Sequence, residues 1–363
     1  MFYHAGSKPI QMQEIIQQYS ETIRRAAEKQ TALRIRGGGS KDFYGGVLKG
    51  EILETKPCSG IVDYEPSELV MTARAGTPLA EIEETIKERG QMLAFEPPHF
   101  GNATLGGCIA AGLSGPRRAA AGAARDYVLG VRMIDGRGND LRFGGRVMKN
   151  VAGYDVSRLM TGSLGTLGLI LEVSLKVLPR PPAEMTLRFD LPEDKAITML
   201  NEWAGKPLSI SASAFAEGNL SVRLSGAASA VEAVSRRLGG ERIGNEEAIR
   251  FWTGIREQTH EFFSGAPLWR LSVKSTTAPL KVPGAQLIEW GGSLRWLKSE
   301  TDAKTIRHAA AAAGGHATLF RANDKTAGVF HPLSPALLKI HRRLKQNFDP
   351  AGILNIGRLY AEF

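Results

Sequence analysis

Apolar positions recur along this chain in two rhythms, every third or fourth residue and every second, and the switches between them outline its elements. Pro9 opens a helical segment with Ile15, Ile16, Tyr19, Ile23, Ala26 and Ala27 on one side, running to Lys29. A short strand follows at residues 31–36, and strand-like stretches recur at 60–64 and 69–74. Thr77 and Pro78 then supply a cap and a first turn for a helix through Arg89. Gly90 ends it, and Leu79, Ile82 and Ile86 form its buried stripe. Residues 128–134, 135–138 and 140–143 read as strand, turn, strand, and 169–178 alternates up to Pro179.

Pro179, Pro181 and Pro182 mark the best boundary in the sequence. Beyond them strands and helices interleave at 185–189, 193–203, 208–215, 220–224, 228–238, 245–263, 268–273, 287–289 and 301–313. This is the pattern of a second α/β domain. Ser334-Pro335 then starts a helix with Leu337, Ile340, His341, Leu344 and Phe348 along one side, stopped at Asp349-Pro350. That tail does not continue the rhythm of the second domain and is expected to return to the first. The division is therefore 1–180, 181–325 and 326–363.

A length of 363 residues agrees with more than one domain. Residues 1–10 carry no apolar run behind a basic segment, and no stretch reaches membrane-spanning length, so the protein is expected in the cytosol. Cys58 and Cys108 are the only cysteines, which excludes a disulfide scaffold and an iron–sulfur cluster held by this chain alone. The net charge of +9 favours an anionic partner. Its basic residues are scattered, apart from Arg117-Arg118 and His341-Arg342-Arg343, and form no nucleic-acid stripe. The seven histidines (His4, His99, His260, His308, His316, His331 and His341) have no metal-site spacing.

Between Glu96 and Gly168 the chain is dense in glycine, which costs backbone entropy and needs a reason. Arg36-Gly37-Gly38-Gly39-Ser40-Lys41 places consecutive N–H groups just beyond a strand, either a phosphate nest or a surface turn. Thr104-Leu105-Gly106-Gly107, with Gly112 and Ser114-Gly115, forms a second candidate cradle. Arg125-Asp126 reads as an ion pair supporting it from behind, or as a surface turn. Lys149-Asn150 and Gly153-Tyr154-Asp155 are spaced to face a cofactor ring, or form a polar loop. Gly165 and Gly168 flank Thr166-Leu167 where a flat ring or ribityl chain could lie on the main chain. There is no G-x-G-x-x-G and no P-loop.

These residues resemble the family of FAD-binding subunits of bacterial glycolate oxidase, within the vanillyl-alcohol-oxidase and p-cresol-methylhydroxylase-type flavoproteins. The resemblance rests on 36–41, 91–98, 103–107, 112–118, 125–130, 148–168 and 348–358. It implies an α+β fold: a two-lobed PCMH-type FAD-binding domain, a smaller α/β cap domain and a C-terminal segment returning to the FAD domain. Arg36, Gly37, Gly38, Gly39, Ser40 and Lys41 would wrap the pyrophosphate from one side. Thr104, Leu105, Gly106, Gly107, Ser114 and Gly115 would do so from the other, with Pro97, Arg125, Asp126, Gly165, Gly168 and Ile170 completing the FAD contacts. Some relatives attach flavin through a histidine in the first loop; Ser40-Lys41 stands there instead, so the resemblance implies noncovalent FAD.

The partners it implies are a catalytic flavin subunit and an iron–sulfur subunit. Glycolate would be oxidised to glyoxylate and electrons passed to a membrane acceptor, the chain meeting the inner membrane face only through the complex. His260, His308 and His316 in the cap are too dispersed to carry over the catalytic subunit's metal site. A 2-hydroxy acid bound by this chain would need a cation, with Arg358 and Lys149 as candidates, and a partner at its carbinol carbon, with Tyr154 and His99 as candidates. Two alternatives stay open: a self-sufficient FAD-dependent 2-hydroxy-acid dehydrogenase, and an assembly subunit without flavin.

Overall fold

The computed structural model describes residues 9–145, 155–265 and 267–363. Helix α1 (Pro9–Lys29) lays Met12, Ile16, Tyr19, Ile23 and Ala26 against a parallel pair, β1 (Leu33–Arg36) and β2 (Glu51–Glu54). β3 (Ile61–Glu65) and β4 (Val70–Arg74) begin a five-stranded antiparallel sheet. Next come α2 (Leu79–Lys87), the two-residue β5 (Gln91–Met92), α3 (Leu105–Ala111) and the single turn α4 (Arg118–Ala121). β6 (Val128–Ile134), β7 (Asp140–Gly144), the short α5 (Val156–Leu159) and β8 (Leu169–Lys176) follow. The sheet order is β3-β4-β8-β6-β7, and its core joins Met71, Met133, Val173 and Leu175 to Ile82, Ile86, Leu105 and Ile109 of the helices.

Burial explains where these elements start and stop. Leu79, Ile82 and Ile86 are fully buried, as the helical spacing requires. Thr77, expected as the cap of α2, instead ties its hydroxyl to Gly60 N at 2.9 Å, and Pro78 precedes the first helical residue without a side-chain cap. Thr77 therefore fastens β3 to the helix rather than closing the helix end. α3 had the look of a loop because two of its first three residues are glycine. Thr104 caps it by accepting from Gly107 N at 3.4 Å, and Gly112 ends it at φ +64°.

After the two-residue β9 (Leu178–Pro179), a second, eight-stranded antiparallel sheet forms. Its elements are β10 (Ala183–Asp190), α6 (Glu193–Ala204), β11 (Ile210–Ala216), β12 (Asn219–Gly226), α7 (Ala228–Leu238), β13 (Glu241–Ile243) and α8 (Asn245–Glu257). β14 (Leu268–Ser272), β15 (Ala285–Glu289), β16 (Leu294–Lys298), α9 (Ala303–Ala312) and β17 (His316–Arg321) complete it. The helix expected over 245–263 breaks at Gln258, which sits at φ +53°, and only one 3-10 turn, Glu261–Phe263, follows. One sheet face packs on α6, α7 and α9. The other brings Leu268, Leu287, Trp296 and Phe320 against Tyr44, Leu113 and Leu164 of the first sheet's loops.

A buried ionic network fastens the two halves across that face. The Glu96 carboxylate accepts from Arg117 N (2.9 Å) and Arg117 Nε (3.3 Å), and from Arg223 Nη2 at 2.8 and 2.9 Å. Arg117 Nη2 reaches on to Glu184 at 2.5 Å. Burial alone would raise the Glu96 pKa, but Arg223 and Arg117 hold it below the usual carboxylate range.

The chain ends where it began. α10 (Pro335–Phe348) is capped by Ser334 and followed by a segment whose Leu354 pairs in parallel with Leu33 of β1. Leu33 N donates to Ile353 O at 2.8 Å and Asn355 N to Leu33 O at 2.9 Å. The apolar side of α10 is only partly used: Leu337 and Ile340 are 49% and 53% exposed. The buried residue of this helix is Lys345. Its ammonium spends all three donors, on Asp349 Oδ2 (2.7 Å), Thr166 O (2.9 Å) and Leu354 O (2.8 Å). Asp349 in turn accepts from Ile353 N and Leu354 N. Lys345→Ala should leave that carboxylate buried without its cation and destabilise the fold by about 3–5 kcal/mol. Chemical denaturation followed by tryptophan fluorescence measures this; an unchanged midpoint would show the tail is not held by this pair.

Candidate functional site

β1 delivers the chain into the turn 37–41, which meets the segment leading into α3 main chain to main chain. A β-carbon on Gly38 would lie 1.5 Å from Asn102 O, and one on Gly37 would lie 2.2 Å from Thr104 Oγ1. Gly39 sits at φ +73°. Only glycine permits this approach and this handedness together. Among the described residues, the main-chain N–H groups of Gly38, Gly39, Ser40 and Lys41 donate to no protein acceptor. Such a run of unsatisfied donors at a concave turn is an anion nest.

The nest opens on a cleft. Its walls bring together Arg36, Gly37, Gly38, Gly39, Ser40 and Lys41 with Thr104, Gly106 and Gly107, then Gly165, Gly168 and Ile170, and Arg358. The far wall is shaped the same way as the nest: β-carbons on Gly165 and Gly168 would meet Asn355 Nδ2 at 2.6 Å and Met133 Cε at 2.2 Å. Thr55, Leu48, Asp42, Ala75 and Asn355 also line the cleft and were not singled out from sequence. Asn355 joins three strands of chain: Oδ1 accepts from Ile35 N (2.7 Å) and Nδ2 donates to Leu164 O (2.5 Å). A lone asparagine in the tail gives no sequence signal of that kind, since its partners lie 320 and 191 residues away.

The charged side chains at the cleft are already engaged. Arg36 Nε donates to Asp42 Oδ2 at 2.9 Å, a carboxylate it shares with Arg34 Nη2 at 2.5 Å. Lys41 Nζ lies 3.2 Å from His99 O and 5.5 Å over the Phe100 ring, and burial lowers its pKa. Arg358, expected as a free cation for a substrate carboxylate, clamps the 42–46 loop. Its Nη1 donates to Asp42 O (3.3 Å) and Gly46 O (2.6 Å), and its Nη2 to Tyr44 O. Burial pushes its pKa down to about 10.

The remaining candidates lie elsewhere. The Leu105 side chain is in the first core, and its N–H donates to Thr77 O. Pro97 is buried away from the cleft. Arg125 and Asp126 are exposed and not paired with each other; Asp126 accepts from Ala123 N at 2.8 Å within its own turn. The His99 imidazole is held at 3.1 Å by Glu83, and the main-chain N–H of His99 donates to Glu257. Lys149 and Tyr154 lie outside the described residues.

Ser114 and Gly115 border a second, smaller cavity between the eight-stranded sheet and the 98–116 segment. Gly115 O accepts from Trp290 Nε1 at 3.0 Å. Arg270 of β14 and Glu289 of β15 reach this chamber from the sheet, beside Trp296 and Phe320. Glu289 Oε1 accepts from Trp296 Nε1 at 2.7 Å, and burial pushes the carboxyl up to about 7. Arg270 and Glu289 were missed from sequence because each sits alone in an apolar strand.

Among the described residues no helix is long and apolar enough to cross a membrane. No group of three or more His, Cys, Asp or Glu is placed to hold a metal ion there.

A family model described as an FAD binding domain matches residues 14–144. The glycolate oxidase subunit GlcE of Escherichia coli (strain K12) is 48% identical over 344 residues, which cover 94% of this chain and 96% of that protein. The glycolate oxidase subunit GlcD of Bacillus subtilis (strain 168) is 31% identical over 164 residues, 44% of this chain and 35% of that one. Among solved structures, p-cresol methylhydroxylase with substrate bound superposes with a TM-score of 0.68 at 14% identity, over 96% of this chain and 88% of that one. An alkyldihydroxyacetonephosphate synthase gives 0.64 at 14% identity, over 93% and 74%. The α+β, two-lobed architecture is thus the PCMH-type FAD-binding fold. This chain belongs to the family of the glycolate oxidase subunit GlcE, among the FAD-linked oxidoreductases.

Proposed function

We propose that this chain binds FAD noncovalently in the glycine-walled cleft and serves as the flavin-bearing subunit of a glycolate-oxidising complex. The observation that carries this reading is the run of unpaired N–H donors at Gly38–Lys41, facing a cleft from which β-carbons are excluded. A pyrophosphate needs several converging donors and close main-chain approach, and both are built into these residues.

In this reading the Gly38–Lys41 N–H groups and the Thr104 hydroxyl hold the pyrophosphate, with Lys41 adding a positive charge nearby. Gly165, Gly168 and Ile170 present main chain and an apolar edge to the flat part of the cofactor. FAD supplies the electron-accepting chemistry when bound, and the protein supplies position and polarity. Noncovalent binding is supported by the lining itself: no described residue around the cleft is a histidine, cysteine or tyrosine. Units 1–180, 181–325 and 326–363 become the FAD-holding part, the cap and the returning tail.

The engagement of Arg358 with main-chain carbonyls leaves the cleft, among the described residues, without a free cation for a substrate carboxylate, and we read it as a cofactor holder. Glycolate oxidation is assigned to the complex, with a companion flavin subunit and an iron–sulfur subunit. The full-length likeness to GlcE and the partial one to GlcD support that division. So does the state of the two thiols, Cys58 and Cys108, each buried, with burial pushing them up to about 11 and about 12.

Purified chain supplied with FAD should show visible flavin bands, and Gly38→Ala should weaken FAD binding about tenfold or more. Gly205→Ala, where the nearest atom is 3.9 Å from the added carbon, should leave affinity unchanged. Absence of flavin bands in the wild-type chain, or equal affinity in Gly38→Ala, would contradict the cleft assignment. Acid precipitation of the loaded protein should release all of the flavin to the supernatant. Flavin retained in the washed pellet would overturn the noncovalent reading.

A further inference from the structure

Each main-chain carbonyl of residues 42–46, the loop that follows the nest, accepts from a cation. Arg358 takes alternate ones, Asp42 O, Tyr44 O and Gly46 O. Lys325 takes the two between them: its Nζ donates to Phe43 O at 2.5 Å and to Gly45 O at 2.9 Å. Arg358 belongs to the tail, whereas Lys325 lies just beyond β17, an edge strand of the eight-stranded sheet. Burial, and Arg358 beside it, disfavour the charge on Lys325, and the two carbonyls offset that cost. Close approach is built into the loop as well. Gly45 lies at φ +90°, and a β-carbon on Gly46 would lie 2.0 Å from Gly357 O.

We propose that Lys325 is a positioning residue for the anion nest, acting on it through planar peptides. A trans peptide points its C=O and the following N–H in opposite directions, so holding one group aims the other. Lys325 holds Phe43 O, which aims Tyr44 N–H, and Tyr44 N donates to Lys41 O at 3.0 Å. Lys41 O shares its peptide with Asp42 N–H, and Asp42 N donates to Gly39 O at 3.1 Å. Gly39 O shares its peptide with Ser40 N–H, one of the unpaired donors that line the cleft. The carbonyls held by Arg358 belong to the intervening peptides and do not enter this series. Affinity for the cofactor thus depends on a residue that does not itself line the cleft and that comes from the other sheet. This step rests on reading the cleft as the FAD site.

The test uses the full chain and two readouts. One is FAD affinity, from the change in flavin fluorescence on titration. The other is amide hydrogen exchange of the chain without flavin, resolved at Asp42 and Tyr44. Lys325→Met should weaken FAD binding about tenfold and speed exchange at both amides by a similar factor, with the β8 amides unchanged. Lys325→Arg, which keeps donors for the two carbonyls, should recover part of both effects. Lys339→Met removes an exposed positive charge from α10 and should change neither. Unchanged FAD affinity in Lys325→Met, or unchanged exchange at Asp42 and Tyr44, would overturn the proposal. An equal loss in Lys339→Met would overturn it too, by tracing the effect to net charge. So would faster exchange throughout β8, which would mark general destabilisation, or an Arg variant no better than Met. If the wild-type chain takes up no FAD, the cofactor reading fails by itself, and exchange at Asp42 and Tyr44 still decides whether Lys325 holds the turn.

Discussion

Two lengths of main chain pass so close at Gly38 that the position tolerates no β-carbon, and the cleft follows from that contact. The turn closes through Asp42 N, which donates to Gly39 O at 3.1 Å, and the N–H groups of Gly38 to Lys41, residues that line the cleft, donate to no acceptor among the described residues. The contact holds only if β1 is fixed, and it is fixed from both sides: by β2 in parallel register and by the returning tail at Leu354. The buried Lys345–Asp349 pair secures that tail. Remote parts of the chain thus converge on the geometry of four peptide groups.

The junction between the two sheets is built on a different economy of charge. At Glu96, a buried carboxylate meets two arginines and a main-chain N–H, and every partner is satisfied. Networks of this kind add little net stability compared with apolar packing, but losing one member is costly, so they select one docking arrangement. Gly115 belongs to the same constraint, since a β-carbon there would lie 2.2 Å from Glu96 O.

Much of the fold was legible because it is local. The stripes of α1 and α2 and the strand–turn–strand at 128–144 all follow from spacing within one element. The glycines at 37–39, 106–107, 165 and 168 were legible as well, because their cost demands a reason within a few residues. What escaped the sequence depends on long-range partners. β2, β16 and β17 are short and take their strand character from neighbours. α3 hides its helix behind two glycines, of which Gly106 is required by close approach to Ala75. Arg125-Asp126 looked like an ion pair by adjacency, but the turn points both into solvent. Asn355, Arg270 and Glu289 are single polar residues whose meaning exists only once distant chain is packed around them.

The most direct test of the central claim is the crystal structure of the chain grown with FAD. The pyrophosphate is expected within hydrogen-bonding distance of the Gly38–Lys41 N–H groups, with the cofactor running along Gly165 and Gly168 toward Ile170. A pyrophosphate bound away from this turn, with those N–H groups facing only water, would contradict the account.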